Sequence, residues 1–531
     1  MKAAQDPDHA PREGAQGGEA ITGLEVLVTA QEAYPALERA FLAAREEVSA
    51  SFRIFDLSTR LRSKEARALG ETWFDLFIHT LERGVAIRLV VSDFDPVAAP
   101  DLHRKAWRTQ RQIATVRELC RADVRLSFVA ALHSGRTGAV PRVLFYPLVR
   151  KKLNALAQSW RAMTLAQRTQ FRAETPRLRD ICREDEKGEL RFRARLVDLH
   201  PATHHQKLAV FDRSTVYIGG LDLNERRFDT KGHDRAARHT WHDIQLIATG
   251  PVAAAAQAHL DGFLSSVANA ASPARPAASG FLRTLSRVCP GTVLRVAPRP
   301  ILREIEAQHL RGVQGAERLI YLETQFLRHM PLARALARRA RRCPGLRLIV
   351  VLPAAPEDVA FASSRGLDAR FGEHLQLRCL ERLKAAFGPD RVLIASPVQP
   401  HIRESGARDT LKRAPLIYVH SKVSIFDNSG AIVSSANLNG RSLRWDSEAG
   451  LHLTRADQVS ELRRRVMGHW LPEDAGAEYL DQETAFDNWR QLVEFNSASP
   501  PHVRRGFLVG YESAVAREVA APVPGMPEEM V

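Results

Sequence analysis

Short apolar runs alternate along the chain with longer stretches whose apolar residues recur at helical spacing, a pattern that predicts an α/β protein. The Ala- and Glu-rich stretch Gln31–Ala50 reads as a helix, followed by a strand at Phe52–Leu57. A helix over Thr72–Arg83 is stopped by Gly84, and Val85–Val91 reads as a buried strand. The same order returns later as helix Ile301–Ala316, strand Arg318–Leu322, helix Pro331–Arg342 and strand Leu346–Leu352. Two more runs with polar boundaries, Lys207–Phe211 and Lys422–Phe426, read as short strands. The pattern therefore predicts two similar halves, each a mixed β-sheet flanked by helices. The expected boundaries are a polar, disordered leader over 1–20, a first half over 21–271, a Pro-, Ala- and Ser-rich linker over 272–300, a second half over 301–497, and a loose tail over 498–531.

The two isolated strands carry one signature. His205-Gln206-Lys207 is followed by Asp212, and His420-Ser421-Lys422 by Asp427, so both read H-x-K-x-x-x-x-D at a constant offset of 215 residues. The offset also relates Phe211 to Phe426, Ser214 to Ser429, Leu223 to Leu438, Asn224 to Asn439 and Arg226 to Arg441. Ungapped agreement of this length is an internal duplication. Along a strand, residues two apart share a face, so each His projects with its Lys toward one pocket. Each Asp, five residues beyond its Lys, falls on the other face or in the following turn and is expected to brace the scaffold. Two imidazoles and two ammonium groups suit a phosphodiester. The lysines neutralise phosphoryl oxygens, one neutral imidazole attacks phosphorus, and the other, protonated, supplies the leaving oxygen with a proton.

Composition narrows the field. A chain of 531 residues with 45% hydrophobic content has material for two ordinary cores. It has no apolar run of about eighteen residues that would span a membrane. The leader lacks the apolar stretch of a secretory signal, so a cytoplasmic or peripheral-membrane protein is expected, with export by a signal-independent route left open. Five scattered cysteines (Cys120, Cys182, Cys289, Cys343, Cys379) predict free thiols and neither a disulfide frame nor a metal site. No metal and no cofactor is expected. The balance of 76 Lys+Arg against 61 Asp+Glu favours anionic partners. Part of that charge sits in Pro141–Asp180, which has no counterpart in the second half. There Leu148, Leu153, Leu156, Trp160 and Met163 recur among Arg150, Lys151, Lys152 and other basic residues. Such a helix either lies on an anionic membrane or packs its apolar side on the enzyme.

The paired motifs resemble those of the phospholipase D superfamily, and residues 22–495 carry further likeness to its phosphatidylcholine-hydrolysing branch. The matching stretches are Gly219-Gly220-Leu221-Asp222-Leu223 with Arg226 and Asp229, Trp241-His242-Asp243-Ile244, Tyr321–Phe326, Ser434-Ser435-Ala436-Asn437 and Asp446-Ser447-Glu448. Thr324, Phe326 and Ser434 depart from that branch's pattern. The resemblance implies a duplicated fold with one active site shared at the interface. It implies His205 as the nucleophile and His420 as the general acid, with Lys207 and Lys422 completing the catalytic set. Asp243 and Glu448 would orient the imidazoles, Asp212 and Asp427 would support them, and Asn437 would contact phosphate. Asp222, in the Asn437 position of the first half, would do something different. Glu323 and Gln325 are expected in the pocket wall.

The expected activity is that of a phospholipase D, probing a phospholipid at a membrane surface as a monomer. Phosphatidyl transfer of the cardiolipin synthase type and a nuclease remain alternatives, and intact His-Lys pairs disfavour a binding-only protein. No nucleic-acid partner is expected: aromatic residues are only 7%, and there is no helix-turn-helix, zinc or RNA-binding signature. Asp212 and Asp427 also stand where tyrosyl-DNA phosphodiesterase relatives have Asn.

Overall fold

The computed structural model describes residues 19–121, 123–193, 196–274, 280–289, 293–362, 366–403 and 408–531. Nearly all of the expected leader lies outside the described residues, as does part of the expected linker. In the first half, seven strands form one sheet: β1 (Gly23–Val28), β2 (Glu47–Phe52), β3 (Ala86–Asp93), β4 (Leu126–Leu132), β5 (Leu208–Phe211), β6 (Thr215–Gly219) and β7 (Ile244–Thr249), in the order β1-β7-β6-β5-β2-β3-β4. In the second half lie β8 (Phe281–Arg287), β9 (Arg299–Arg303), β10 (Leu319–Thr324), β11 (Arg347–Val351), β12 (Val392–Pro397), β13 (Lys422–Phe426), β14 (Gly430–Ser434), β15 (Glu448–Leu453) and β16 (Leu508–Gly510). Their order, β9-β8-β15-β14-β13-β10-β11-β12-β16, contains the first sheet's order strand for strand and adds one strand at each edge. Both sheets are mixed: β2 runs parallel to β3 and antiparallel to β5, and β10 stands likewise to β11 and β13. The two-half α/β architecture is the one the pattern predicted.

Period-two alternation sorts the side chains. Leu208, Val210, Val216 and Ile218 of the first sheet share one core with Tyr321, Val423, Ile425 and Val433 of the second. Their neighbours turn outward: Ala209, Phe211 and Tyr217 pack under the helices of the first half, and Ile320, Leu322, Phe426 and Ile432 under those of the second. Central strands are thus covered on both faces, which is why they read as continuous apolar runs. Among the described residues no helix is long and apolar enough to cross a membrane, and no cysteine forms a disulfide.

Several expected boundaries move. The first helix stops at Ala43, and the strand begins at Glu47, not Phe52. The three successive amides of Arg45, Glu46 and Glu47 donate to the Asp212 carboxylate, which fixes the strand start and cuts the helical pattern short. Within the segment read as linker, Phe281–Arg287 forms β8, which pairs with β15 and is almost wholly buried. The tail is not loose. Its Leu508–Gly510 pairs with β12, the Val519 carbonyl accepts from Arg370, and Glu529 pairs with Arg444 at 2.8 Å. Its apolar content is too sparse to show this from pattern. The basic insert folds as helices Ala139–Ala162 and Leu165–Glu174 around a small core of Val149, Leu153, Trp160, Phe171 and Leu178. Trp160 is therefore buried, its Nε1 donating to the Gly188 carbonyl at 2.9 Å.

Glu306 ties the second half to its tail side. It accepts from His329 Nε2 at 2.8 Å and from Arg444 at 2.9 Å. Burial alone would raise this carboxyl, but the bonds from His329 and Arg444 outweigh it and hold the group at about 2. A folded pKa below the unfolded one adds stability above about 4.5 and loses it as pH falls toward 2. Urea unfolding of the parent and Glu306→Gln should differ by on the order of 3 kcal/mol above pH 5, with the gap closing toward pH 2. A gap independent of pH would show that the charge is not the source.

Candidate active site

The two motif histidines sit at the seam between the halves, and each is held from the opposite half. The His205 and Gln206 amides both donate to the Ser447 carbonyl at 2.9 Å, and the His420 amide donates to the His242 carbonyl at 2.8 Å. Side chains repeat the exchange: His205 Nδ1 meets Glu448 Oε1 at 2.9 Å, and His420 Nδ1 meets Asp243 Oδ2 at 2.6 Å. Each carboxylate thus serves the other half's imidazole, although in sequence each follows its own motif histidine. With Nδ1 occupied, Nε2 is the nitrogen left on each ring for chemistry.

The supports of the two carboxylates differ. Ser435 Oγ donates to Glu448 Oε2 at 2.5 Å. At the first-half position 215 residues earlier stands Gly220, where a Cβ would lie 2.1 Å from Asp243 Oδ1. One residue before, Gly219 faces Gln245 across the strands while Ser434 faces Gly450. A Cβ on Gly219 would meet Gln245 Oε1 at 2.1 Å, and one on Gly450 would meet the Ser434 Cβ at 2.6 Å. Small and large residues have changed places across the pair, so Ser434 fits without displacing the backbone.

The motif aspartates are scaffold residues in the structure. Asp212 accepts the amides of Arg45, Glu46 and Glu47 at 2.8–3.0 Å, and Asp427 those of Glu317, Arg318 and Leu319 at 2.7–2.9 Å. Both adopt φ 47°, a left-handed conformation Asp tolerates better than most residues. Lys207 and Lys422 are buried, and each Nζ donates to the carbonyl of its own histidine. Neither lysine lines the cavity; they lie beneath it.

A cavity of about 730 Å³ opens over His205 and His420. Asn437 and Gln325 line it. The Asn437 Oδ1 has no hydrogen-bond partner, and Gln325 Nε2 donates to Tyr418 Oη at 2.8 Å. Its first-half counterpart Asp222 instead accepts the Ile54 amide at 2.9 Å, a structural bond. Glu323, expected in the wall, lies behind it, fully buried and accepting from His242, Ser421, Tyr321 and Trp470. A carboxylate with four donors has no surface left for a ligand. The pattern reading missed the main lining charge: Arg53, Arg226, Arg227, Arg238, Arg328 and Arg441. The 215-residue offset relating Arg226 to Arg441 was the available signal. Trp241 flanks the second motif, its ring centroid 4.4 Å from that of His420, and Arg227 stands 3.4 Å over the same indole.

Electrostatics follow from burial. Burial, then the neighbouring lysine, pushes both His205 and His420 well below the ordinary imidazole range. Burial raises Glu448 to about 8 against the opposing charge of Lys207, and lowers Lys422 to about 7 against that of Asp243. Both imidazoles are therefore held in the neutral form.

A family model described as cardiolipin synthase, PLD-like domain, matches residues 310–470. Phospholipase D A of Dictyostelium discoideum is 22% identical over 331 residues, covering 50% of this chain and 25% of that protein. The chain belongs to the phospholipase D superfamily. Phospholipase D B of the same organism is 32% identical over 166 residues, which is 28% of this chain and 14% of the relative. The match thus spans a quarter or less of these superfamily members' own length. The crystal structure of phosphatidylserine synthase from Haemophilus influenzae Rd KW20 shares the superfamily fold at TM-score 0.50 and 11% identity, covering 89% of this chain and 93% of that one.

The crossed pairing generates a test. Glu448→Gln should lower kcat by about 10²- to 10⁴-fold with KM within a few-fold, because the carboxylate orients the His205 ring without touching substrate. Lys422 loses its charge above about 7 while Glu448 gains its charge only toward about 8. The parent kcat/KM should therefore trace a narrow bell between those values, and the Gln variant should lose the acid limb. A retained acid limb would show that the charge of Glu448 does not govern His205.

Proposed function

We propose that this protein is a phospholipase D that hydrolyses the distal phosphodiester of glycerophospholipids to phosphatidic acid and a free headgroup alcohol. The observation that carries the reading is the pair of imidazoles, each oriented by the other half's carboxylate, beneath one arginine-lined cavity. His420 takes up a proton when the negatively charged phosphodiester binds beside it; His205 Nε2 then attacks phosphorus, the bond from phosphorus to the headgroup oxygen breaks, and His420 gives that oxygen its proton. The phosphatidyl group is then held on His205. Water, deprotonated by His420, attacks the same phosphorus, and the phosphorus–nitrogen bond breaks. The arginines and Asn437 supply donors for phosphoryl oxygens, with Lys207 and Lys422 adding charge from below.

A second reading, phosphatidyl transfer to another lipid or alcohol, is favoured by the description of the matching family model and differs only in the acceptor. Incubation with mixed phospholipids and butanol, followed by lipid mass analysis, separates the two. A phospholipase D releases phosphatidic acid in water, and butanol competing with water for the phosphatidyl group on His205 yields phosphatidylbutanol at its expense. A transferase makes a new phospholipid and little phosphatidic acid. Configuration at phosphorus should be retained, since two in-line displacements cancel; inversion rules out the histidine intermediate. Cleavage of DNA with no phospholipid product refutes both lipid readings. His205→Ala and His420→Ala should each abolish turnover, with the double variant hardly worse.

The insert supports action at a lipid surface. Val143 and Leu144 are 55% and 72% exposed, Tyr146 and Leu148 nearly half exposed, and Arg150 and Lys151 lie beside them on the same helix. Replacing Val143 and Leu144 by Asp should lower turnover of anionic vesicles by roughly 10- to 100-fold and spare a soluble short-chain phospholipid. Equal turnover of vesicles by both proteins removes the membrane role from this helix.

A further inference from the structure

Behind the His420 side of the active site, three histidines from distant parts of the chain converge. One ring nitrogen of each of His233, His242 and His469 lies within 4.8 Å of those of the other two. The ring centroids are separated by 4.6 Å (His242 and His469), 5.2 Å (His233 and His469) and 5.7 Å (His233 and His242). Three imidazoles around a tetrahedral ion at metal–nitrogen distances of about 2.0–2.1 Å place their centroids about 5 Å apart. We propose that His233, His242 and His469 bind one divalent transition-metal ion, zinc fitting best, and that this ion fastens the two halves together.

Two independent features support an ion over a plain histidine cluster. The first is an orphaned nitrogen. His233 Nε2 and His469 Nε2 lie 3.0 Å apart, so one proton between them satisfies that pair. Glu323 takes the His242 Nε2 at 2.9 Å, which leaves His242 Nδ1 fully buried with no hydrogen-bond partner. A cation supplies what that lone pair lacks.

The second feature is charge. His233 Nδ1 donates to Asp229 at 2.7 Å, and the His242 ring to Glu323, the arrangement in which a carboxylate fixes the tautomer of a metal-binding imidazole. Both carboxylates are fully buried, and among the described residues neither forms an ion pair with a Lys or Arg. Two buried negative charges match one divalent ion. Neutral imidazoles without thiolates select zinc, copper or nickel over magnesium or calcium.

His233 and His242 belong to the first half and His469 to the second, where it caps the helix Ala456–Gly468. The His242 carbonyl receives the His420 amide, and Asp243 next to it holds the His420 ring. An ion on His242 would steady that segment without touching substrate. This goes beyond the sequence reading, which expected no metal, and is independent of which phosphodiester is cleaved.

Cobalt titration of the purified, chelator-treated protein tests it without any activity assay. The expected result is one equivalent of Co²⁺ with the intense visible absorption of a tetrahedral site, displaced by one equivalent of Zn²⁺. His469→Ala, at the partly exposed ligand, should weaken zinc binding by more than about 100-fold, since loss of a supporting carboxylate alone costs about 10- to 100-fold. His502→Ala, at an exposed histidine, should bind as the parent does. A parent that takes up no cobalt, or shows only the weak spectrum of octahedral aquo-cobalt, overturns the proposal. So does a folded His469→Ala protein of parental affinity.

Discussion

Glu448 reaching across to His205, and Asp243 to His420, is the interaction on which the rest of the site depends. Neither half contains a complete site, because each imidazole takes its orientation from the other sheet. Backbone bonds enforce the exchange: Ser447 receives two amides from the first motif, and His242 receives one from the second. Sliding one half against the other would break these bonds together. The shared apolar core between the sheets therefore sets the geometry of the site as well as stability.

The duplication has kept its scaffold and let its lining diverge. Asp212 and Asp427 perform the same task with the same backbone conformation, three amides each. Asp222 and Asn437 occupy equivalent positions and do unlike things, one bonding a backbone amide and the other facing the cavity. The Gly219–Gln245 and Ser434–Gly450 pairs show how a departure in one half is absorbed across a strand.

Much of this was legible in the sequence. The period-two and helical patterns gave the halves and most strands, because central strands buried on both faces announce themselves as apolar runs. The offset of 215 residues isolated the two His-Lys pairs. Pattern failed where long-range hydrogen bonds decide: Asp212 pinning the start of β2, β8 arising within a Pro- and Ala-rich stretch, and a sparse tail strapped down by Arg370 and Arg444. It also could not show which carboxylate serves which imidazole, since that pairing exists only once the sheets have met. Glu323 was misread for the same reason: three of its four donors come from segments distant in the chain.

The unequal length of the two orienting side chains has a consequence of its own. A site with true two-fold symmetry cannot tell apart the two ester oxygens of a diester, and would admit its ligand in either of two opposed directions. Here a short Asp crowded against Gly220 holds one ring, and a longer Glu gripped by Ser435 holds the other. The pseudo-dyad is broken directly behind the two rings. The two sides of the cavity are therefore chemically distinct, in the carboxylate behind each ring as well as in the residues that line it.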